Sequence, residues 1–470
     1  MKTRFAPSPT GLMHLGNTRT ALFNVLAARK SGDCFLLRIE DTDLARSEER
    51  FTQQLMDDLR WLGLQWQEGP EVGGEHAPYF QAQRNDVYQH YYDELQHRGL
   101  AYPCFCSEER LALTRKIQLS QGEPPRYPGT CASLTPAEVE KKLAEGIVPT
   151  IRFRVPRDES IEFDDLVRGK QSFKTNDLGD FIIRKADQSA SFMFCNAIDD
   201  SIMGVTHVLR GEDHLTNTPR QLLLLKALGM AQPQYGHISI ILGHDGSPLS
   251  KRNGSRSIQE LRHQGYLAPA INNYLARLGH HYAENHFMSL DELSHGFSFE
   301  NLVKSAAKFD EDHLRHWQKE AILRASDEEI WQWFGEQVHQ LVPTAHKDAF
   351  VATVRPNALM PHDAVQWANN LFGELEITDE AMQLIAATPN TFYAAAIEAM
   401  TRTGADWKAL TEAVKQATGA KGKQLFQPLR AALTGQAHGP EMPGITQMLG
   451  VERMQQRLLH AKDLASEALS

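Results

Sequence analysis

Residues 5–17 read Phe-Ala-Pro-Ser-Pro-Thr-Gly-Leu-Met-His-Leu-Gly-Asn, and this stretch decides the fold of the first half of the chain. Pro7, Pro9 and Gly11 are incompatible with a regular helix or strand, so residues 7–17 are predicted to form a tight loop. A loop of this kind is common between a strand and a helix in α/β proteins.

The residues on either side predict a strand–loop–helix–strand unit. Residues 3–6 are predicted to form a strand before the loop, and the apolar run at 34–39 a buried strand after the helix. Gly32 stands where the helix is expected to end. One face of the predicted helix is apolar and carries Ala21, Leu22, Val25 and Leu26.

The predicted loop leads into a helix N-terminus, which suits a phosphate chain because free N–H groups and the positive end of the helix dipole lie there. His14 can donate a hydrogen bond to a charged phosphoryl oxygen in a transition state. Gly16 leaves room for a nucleotide to lie against the backbone. The alternative is an ordinary Pro/Gly turn with a surface histidine.

A second segment, residues 249–255, reads Leu-Ser-Lys-Arg-Asn-Gly-Ser. Ser250, Lys251 and Arg252 are predicted to lie on a mobile basic loop. Such a loop can close on a triphosphate and offset the charge that develops on a pyrophosphate leaving group. The alternative is a solvated basic turn.

Composition limits the class of protein. A chain of 470 residues is expected to form two to four domains. With 41% hydrophobic and 23% charged residues, and no apolar run of membrane-spanning length, it is predicted to be globular, with no membrane partner and a cytoplasmic location. Five cysteines argue against a disulfide framework. The net charge of −10 argues against indiscriminate binding to long nucleic acid but allows a local basic track.

Secondary-structure patterns change along the chain. A helix is predicted from Ser47, as its N-cap, to about residue 62, with an apolar face. Residues 101–190 read as an α+β insertion, with a strand-like pattern at 150–163. Residues 320–470 are predicted to be wholly helical, with core positions rather than base-stacking positions for Trp331, Phe334 and Trp367.

The two quoted segments together resemble the ATP-binding signatures of class I aminoacyl-tRNA synthetases. The sequence around His14 is similar to that of bacterial glutamyl-tRNA synthetases. The resemblance covers nearly the whole chain. Its further matches are Arg38-Ile-Glu-Asp-Thr-Asp43, Asp199-Asp200, and the segments 204–214, 217–221, 265–279 and 427–435.

The resemblance implies an α/β N-terminal half with a Rossmann-like parallel sheet and an inserted α+β subdomain, followed by an all-α anticodon-binding half. It divides the chain into residues 1–100 and 191–242 as the two halves of the catalytic domain, 101–190 as the acceptor-stem-binding insertion, 243–319 as the stem-contact region with the mobile basic loop, and 320–470 as the anticodon-binding region.

The implied reaction activates L-glutamate with ATP and Mg²⁺ to an adenylate and transfers glutamyl to the terminal adenosine of tRNA(Glu). A monomer is expected. No covalent residue is assigned, because both steps need approach geometry more than a protein nucleophile. The resemblance implies that the catalytic residues are His14, Gly16 and Lys251. The ATP-binding residues are Pro7, Ser8, Pro9, Thr10, Gly11, His14, Gly16, Asn17, Ser250, Lys251 and Arg252. The family usually has Lys where this chain has Pro248.

A glutamate side chain calls for a guanidinium and its ammonium group calls for a carboxylate. The resemblance assigns the first role to Arg4 and Arg210 and the second to Glu40. Ser8, Asn196 and Phe192 also fall on family positions that touch the amino acid, although the family usually has Tyr in place of Phe192. The alternative for the acidic and basic residues at 38–43 is a solvated ion-pair network at a strand end.

The cysteines at 104, 106 and 131 form a partial metal pattern, since zinc takes four ligands and thiolates two residues apart can share one ion. Some family members place zinc in this insertion, and Tyr127 fits one version of the fourth ligand. The predicted set is Cys104, Cys106, Tyr127 and Cys131. The alternative is a group of reduced cysteines without metal.

Choice of tRNA is predicted from one position. Members restricted to tRNA(Glu) often have an Arg after an Arg-Pro pair, where it reads the last anticodon base. Here Arg355-Pro356 is followed by Asn357, so tRNA(Gln) is predicted to be accepted as well. Two other functions stay open at this point. One is a tRNA-modifying relative that lacks the anticodon-binding half, and the other is a catalytically silent tRNA-binding paralogue.

Overall fold

The computed structural model describes residues 1–468, and residues 469–470 lie outside the described part. The N-terminal unit forms as predicted. Strands β1 (Thr3–Phe5) and β2 (Phe35–Leu37) pair in parallel, and helix α1 (Leu15–Ser31) connects them. The helix ends at Gly32, whose left-handed φ of 68° favours glycine over any residue with a side chain.

The chain divides into two compact units, one of Met1–Arg262 with Ile271–Leu314 and one of His263–Ala270 with Arg315–Ser470. After β2, the elements in chain order up to residue 308 are α2 (Glu49–Trp61), α3 (Asn85–His97), β3 (Ala101–Cys104), α4 (Glu108–Ser120), α5 (Pro136–Ala144), β4 (Thr150–Phe153), β5 (Ser160–Asp165), β6 (Gly169–Lys174), β7 (Phe181–Arg184), α6 (Phe192–Ile202), β8 (His207–Gly211), α7 (Thr218–Ala227), β9 (Gln234–Ile238), β10 (Ile241–Leu242), α8 (Ile258–Gln264), α9 (Ala268–Ala276), α10 (Leu290–His295) and β11 (Ala307–Lys308).

The first unit contains two kinds of sheet. Parallel pairing joins β1 to β2, β8 to β9, and β10 to β11. The backbone N–H groups of Thr206 and His207 donate to the Lys2 carbonyl at 2.9 and 3.2 Å, which places β8 beside β1. Antiparallel pairing joins β3, β4 and β7 in one sheet and β5 to β6 in a hairpin. This confirms the predicted α/β fold with an inserted α+β part.

Two local predictions need correction. The helix predicted from Ser47 begins at Glu49 with Glu48 as its N-cap, because the Ser47 N–H donates to the Asp43 carbonyl at 3.0 Å and belongs to the preceding turn. The strand-like pattern at 150–163 is divided between β4 and β5, which pair in different sheets.

Every regular element of the second unit among residues 315–468 is a helix, which confirms the all-α half. Trp331 and Phe334 are buried in its core, and Trp367 packs against that core, as predicted. No helix in the described part of the chain is long and apolar enough to span a membrane. The last ten helices are α11 (Glu311–Arg324), α12 (Asp327–Phe334), α13 (Glu336–Leu341), α14 (Lys347–Val354), α15 (Pro361–Phe372), α16 (Asp379–Ala386), α17 (Asn390–Thr403), α18 (Trp407–Thr418), α19 (Lys423–Thr434) and α20 (Met442–Glu467).

Candidate active site

A cavity of about 740 Å³ in the first unit is lined by segments that are far apart in sequence. They are β1, the loop after it and the first turns of α1, then Glu40 three residues beyond β2, the start of α6, and the end of β8 with the segments that follow it. Most of the predicted site residues line this cavity, namely Arg4, Pro7, Ser8, Thr10, His14, Gly16, Asn17, Glu40, Phe192, Asn196 and Arg210. Pro9 and Gly11 belong to the same loop but are not among the lining residues.

His14 is the N-cap of α1 and its ring orientation is fixed by the helix. Its Nδ1 accepts the Gly16 N–H at 3.1 Å, and its own N–H donates to Asn17 Oδ1 at 2.9 Å. Because Nδ1 is an acceptor, a neutral ring carries its hydrogen on Nε2, which leaves that N–H as a donor. A Cβ at Gly16 would lie 3.1 Å from the His14 ring, so glycine also leaves room for the ring.

Arg4 and Arg38 share one buried carboxylate. Arg4 donates to Asp200 through Nε and Nη2 at 3.0 and 3.2 Å, and Arg38 Nη2 donates to Asp200 Oδ1 at 2.8 Å. Burial alone raises the pKa of Asp200, but the two guanidinium groups hold it below its usual range. Arg38 Nη2 also donates to Asn196 Oδ1 at 2.9 Å. The cluster therefore fixes Arg4 and Asn196 together.

The alternative of one solvated ion-pair network at residues 38–43 is wrong. Arg38 is 0% exposed and pairs with Asp200 rather than with its sequence neighbours. Asp43 pairs with Arg46 at the surface at 2.6 Å. Glu40 is buried and faces the cavity.

Glu40 is a buried carboxyl with an unusual titration. Burial raises its pKa to about 7, although a hydrogen bond with Asn196 and the charges of Arg38 and Arg4 oppose the rise. No ion pair within 4 Å is formed by Glu40 with any described residue. A cation that entered the cavity would therefore stabilise its ionised form.

Arg210 is a buried cation that lacks a carboxylate partner. The residue is 4% exposed, and no Asp or Glu of the described chain lies within ion-pair distance. Its Nη1 is buried without a hydrogen-bond partner. Burial lowers the pKa of Arg210 to about 10. A carboxylate from outside the protein would supply the missing partner.

Phe192 lines the same cavity as Arg210 and stacks on the ring of His214. The two ring centroids are 4.9 Å apart and the planes differ by 24°. Burial lowers the pKa of His214 to about 4, so the ring is neutral at pH 7. The phenyl ring thus forms an aromatic wall without a hydrogen-bond donor.

The basic loop is organised by the buried side chain of Asn253. Its Nδ2 donates to Asp245 Oδ1 and Ser247 Oγ, both at 2.9 Å, and its Oδ1 accepts the Ser250 N–H at 2.6 Å. A Cβ at Gly243 would lie 2.1 Å from Asn253 Nδ2. Glycine at 243 is therefore required for this packing.

The side chains predicted to touch the triphosphate are presented outward by this loop. Lys251 and Arg252 are exposed in a one-turn helix, Lys251–Asn253. Ser250, Lys251 and Arg252 do not line the cavity, whereas Pro248 does. The loop lies near the His14 segment, because the Ile258 N–H donates to the Met13 carbonyl at 2.8 Å.

The predicted metal ligands come together in the antiparallel part of the first unit. The Sγ atoms of Cys106 and Cys131 are 3.7 Å apart, and Tyr127 Oη lies 3.3 and 3.6 Å from the Sγ atoms of Cys104 and Cys106. A tetrahedral zinc ion with Zn–S of about 2.3 Å requires sulfurs roughly 3.8 Å apart and a sulfur–oxygen spacing of about 3.5 Å. These three spacings match that geometry, and all three sulfurs lie within 4.8 Å of one another.

Asn357 belongs to the second unit. It is exposed at the end of a short helical turn, Arg355–Asn357. The preceding Arg355 donates to the Ala325 carbonyl at 2.8 Å and pairs with Asp327 at 2.6 Å. The side chain of Arg355 therefore stabilises the fold of this unit.

Sequence reasoning gave no role to several residues that organise the site. Asp200 and Arg38 lie in segments that resemble the family, but nothing in the local sequence indicates that they pair. Asn253 follows the basic run directly, and an Asn-Gly pair is a turn signal that would have drawn attention to it. His237, which contacts Arg210, has no local signal.

Two family models match the chain. The catalytic domain of class I tRNA synthetases (E and Q) matches residues 1–316, and an anticodon binding domain matches residues 312–462. The chain belongs to the class I tRNA synthetases of the E and Q type. The second match covers the part that the tRNA-modifying relatives lack, which removes that alternative.

Similar proteins of this synthetase family match over almost the whole chain. The glutamate–tRNA ligase 2 of Coxiella burnetii is 54% identical over 462 residues, covering 98% of this chain and 99% of that protein. The glutamate–tRNA ligase 2 of Nitrosococcus oceani is 55% identical over 464 residues and 98% of each chain. A solved glutamate tRNA ligase from Elizabethkingia meningosepticum, in complex with its amino acid, has a TM-score of 0.89 at 30% identity and covers 98% of this chain and 99% of that one.

Proposed function

We propose that this class I synthetase is a glutamate–tRNA ligase that forms glutamyl-adenylate from L-glutamate and ATP and transfers the glutamyl group to tRNA(Glu). One observation carries the choice of amino acid. Arg210 is a buried guanidinium without an acidic partner in the described chain, and it opens onto the same cavity as the His14 loop. A glutamate side chain supplies the missing carboxylate.

In this proposal the amino acid is held at both ends. Arg4 and Arg210 bind the side-chain carboxylate, and Glu40 binds the ammonium group. Ser8, Asn196 and Phe192 complete the pocket. Glutamine, with a neutral amide, would leave the charge of Arg210 unmatched, so the pocket favours glutamate electrostatically.

ATP occupies the part of the cavity beside the N-terminal loop. The loop residues 7–11, with Asn17, hold the nucleotide, and Gly16 allows its close approach. His14 donates Nε2–H to a phosphoryl oxygen, and the basic loop closes over the triphosphate with Ser250, Lys251 and Arg252. Mg²⁺ would enter with ATP and would offset part of the negative charge of its phosphate groups. Catalysis then consists of approach geometry and charge stabilisation, without a covalent enzyme intermediate.

Zinc would be held by Cys104, Cys106, Cys131 and Tyr127. The ligand spacing supports this proposal. The ion would supply no reaction chemistry there. It would fasten the start of the insertion to the segment that contains residue 131 and so stabilise residues 101–190, which are proposed to bind the acceptor stem.

The second unit is proposed to read the anticodon, with Asn357 at the last base. Asparagine is neutral and shorter than arginine and gives weaker discrimination between C and G. The enzyme therefore charges tRNA(Gln) as well as tRNA(Glu). It acts as a monomer in the cytoplasm, and light scattering of the purified chain tests its oligomeric state.

Aminoacylation with labelled glutamate, run separately on tRNA(Glu) and tRNA(Gln), tests the function. Charging of tRNA(Glu) is expected, and it should be lost in Arg210→Ala. Arg29→Ala is the matched control, because Arg29 is an exposed arginine in the last turn of α1, at the opposite end of that helix from His14. Absence of charging on both tRNAs by the folded chain would overturn the proposal.

A further inference from the structure

The guanidinium of Arg210, proposed to bind glutamate, is hydrogen-bonded to a residue of the neighbouring strand β9. Arg210 on β8 is the register partner of His237 on β9. Arg210 Nε donates to His237 Nε2 at 3.2 Å, and Nη2 donates to Thr218 Oγ1 at 2.8 Å. Two of its three nitrogens are thereby fixed, and Nη1 is left without a partner in the described chain.

The protonation of His237 is determined by a third residue. His237 Nδ1 is hydrogen-bonded to Asp165 Oδ2, and both side chains are 0% exposed. An ionised carboxylate can only accept, so Nδ1 carries the hydrogen and Nε2 presents its lone pair to Arg210. The Asp165 carboxylate is itself fixed by the N–H groups of Val167 and Arg168 at 3.0 and 2.9 Å.

The acidic residue of this chain of contacts comes from the hairpin. Asp165 is the last residue of β5, and the Leu166 N–H donates to the Tyr235 carbonyl at 2.9 Å, which docks the hairpin on β9. A Cβ at Gly236 would lie 2.7 Å from Leu209 Cδ2 and 3.3 Å from Leu166 Cβ. Glycine at 236 permits this close approach of hairpin and strands.

We infer that His237, oriented by Asp165, is a positioning residue that aims Arg210 at the carboxylate of the substrate, an inference that rests on the role proposed for Arg210. A neutral acceptor is the group that this task requires. A carboxylate at the same place would pair with the guanidinium and consume the charge needed by the substrate. An imidazolium would turn an N–H towards the Arg210 N–H and add a like charge.

The surroundings agree with a neutral ring. Burial lowers the pKa of His237, and the nearby Arg210 and Arg168 act in the same direction, while Asp165 opposes them. Thr218 Oγ1 lies 2.9 Å from His237 Nε2, so the two groups that hold Arg210 also contact each other.

Two substitutions of His237 separate positioning from packing. In His237→Gln the amide oxygen can reach the place of Nε2 and accept from Arg210. In His237→Asn the amide can reach Asp165 but leaves the Arg210 Nε–H without an acceptor. Positioning predicts that KM for glutamate rises about tenfold or more in the Asn variant and much less in the Gln variant. KM for ATP should stay within about twofold in both.

Asp165→Asn supplies an independent test. The amide can donate to Nδ1, which moves the ring hydrogen to Nε2 and turns it against Arg210, as in a triad with the wrong tautomer. KM for glutamate is expected to rise about tenfold with KM for ATP unchanged. Asp164→Asn is the matched control, because Asp164 precedes it on β5 and is exposed. His207→Gln is the control for the His237 substitutions, because His207 is the first residue of β8 and Arg210 lies near the other end of that strand.

Pyrophosphate exchange with tRNA present gives the two KM values, and thermal melting checks folding. Equal effects on both KM values, or an equal loss in the Gln and Asn variants, would overturn the inference. If His237→Asn fails to fold, Asp165→Asn decides alone. Arg210→Ala separates the two proposals. If KM for glutamate is unchanged in Arg210→Ala, the proposed role of Arg210 is wrong. If KM for glutamate rises in Arg210→Ala but is unchanged in the His237 and Asp165 variants, only the positioning role is wrong.

Discussion

Asp200 accepts two hydrogen bonds from Arg4, at 3.0 and 3.2 Å, although the two residues are 196 positions apart in the chain. Both side chains are almost fully buried. Arg38 adds a second guanidinium to the same carboxylate. These contacts tie β1 to α6 and hold the side chain of Arg4, which lines the cavity, in a fixed orientation. A binding site for a small charged substrate needs this kind of support.

Asp200→Asn is expected to destabilise the protein by about 3–5 kcal/mol, because it leaves two buried guanidinium groups without a counter-charge. It should also raise KM for glutamate, since Arg4 loses its orientation. Denaturant unfolding and pyrophosphate exchange measure the two effects. Asp93→Asn, at an exposed position of α3, is the control. Stability within about 0.5 kcal/mol of the natural chain would contradict the account of the cluster.

Lys251→Ala is expected to lower adenylate formation by roughly two orders of magnitude or more, while tRNA binding persists. The lysine would otherwise offset charge on the pyrophosphate leaving group. Pyrophosphate exchange and a filter-binding assay measure the two properties. Lys226→Ala, at an exposed position in the last turn of α7, is the control. Near-normal exchange with tRNA present would show that Lys251 has no such role.

Glutamate binding is expected to weaken as the pH falls through 7. Burial raises the pKa of Glu40 to about 7, and only the ionised carboxylate binds an ammonium group. The ionised fraction then falls about tenfold between pH 8 and pH 6, and KM for glutamate should rise by the same factor. KM for ATP is the internal control. A flat profile, or a midpoint near the ordinary value for glutamate, would show that Glu40 does not hold the ammonium.

The same shift affects stability, with the sign of a carboxyl whose folded pKa is raised. The unfolded chain loses this proton near its ordinary pKa of 4.5 and the folded chain near 7, so the free energy of unfolding falls as pH rises through that window. Glu40→Gln removes the unfavourable free energy of ionising a buried carboxyl. The substitution is expected to raise the melting temperature at pH 8 relative to the natural chain, with little gain at pH 5. A gain that is larger at pH 5 would contradict this.

One zinc ion per chain is expected at the four side chains of the cysteine cluster. Elemental analysis of protein purified without chelator measures it. Cys104→Ser should lose the ion and lower the melting temperature, because bound metal contributes to folding energy. Cys34→Ser, outside the cluster, is the control. Absence of zinc together with an unchanged melting temperature in Cys104→Ser would leave the cluster without a metal function.

The natural chain is expected to use tRNA(Gln) within about an order of magnitude of tRNA(Glu) in kcat/KM. Asn357→Arg should raise the preference for tRNA(Glu) by roughly 1–3 kcal/mol, because an arginine can form two hydrogen bonds to the edge of one base but not to that of another. Steady-state charging of the two tRNAs measures both. Asn357→Gln, which adds length without charge, is the control. A hundredfold preference in the natural chain would show that another residue discriminates.

Local features of the fold were predictable because their signals lie within a few residues of each other. Pro7, Pro9 and Gly11 exclude regular structure, and the apolar spacing that begins at Ala21 predicts a helix that ends at Gly32. The structure has the helix and its end where predicted. The boundary at Ser47 was wrong because a capping serine and a turn serine look alike until the backbone donor of Ser47 is placed.

The sequence alone determined the class of fold, the motifs and the types of side chain that the chemistry requires. Only the tertiary structure decided which charges are matched. Arg4 shares the one carboxylate of Asp200 with Arg38, whereas Arg210 is held by the neutral ring of His237 and has no acidic partner in the described chain. Whether a guanidinium is paired depends on contacts between residues that are far apart in the chain. Burial then increases the free-energy cost of any charge that is left unpaired. A local pattern of residue types carries no record of either.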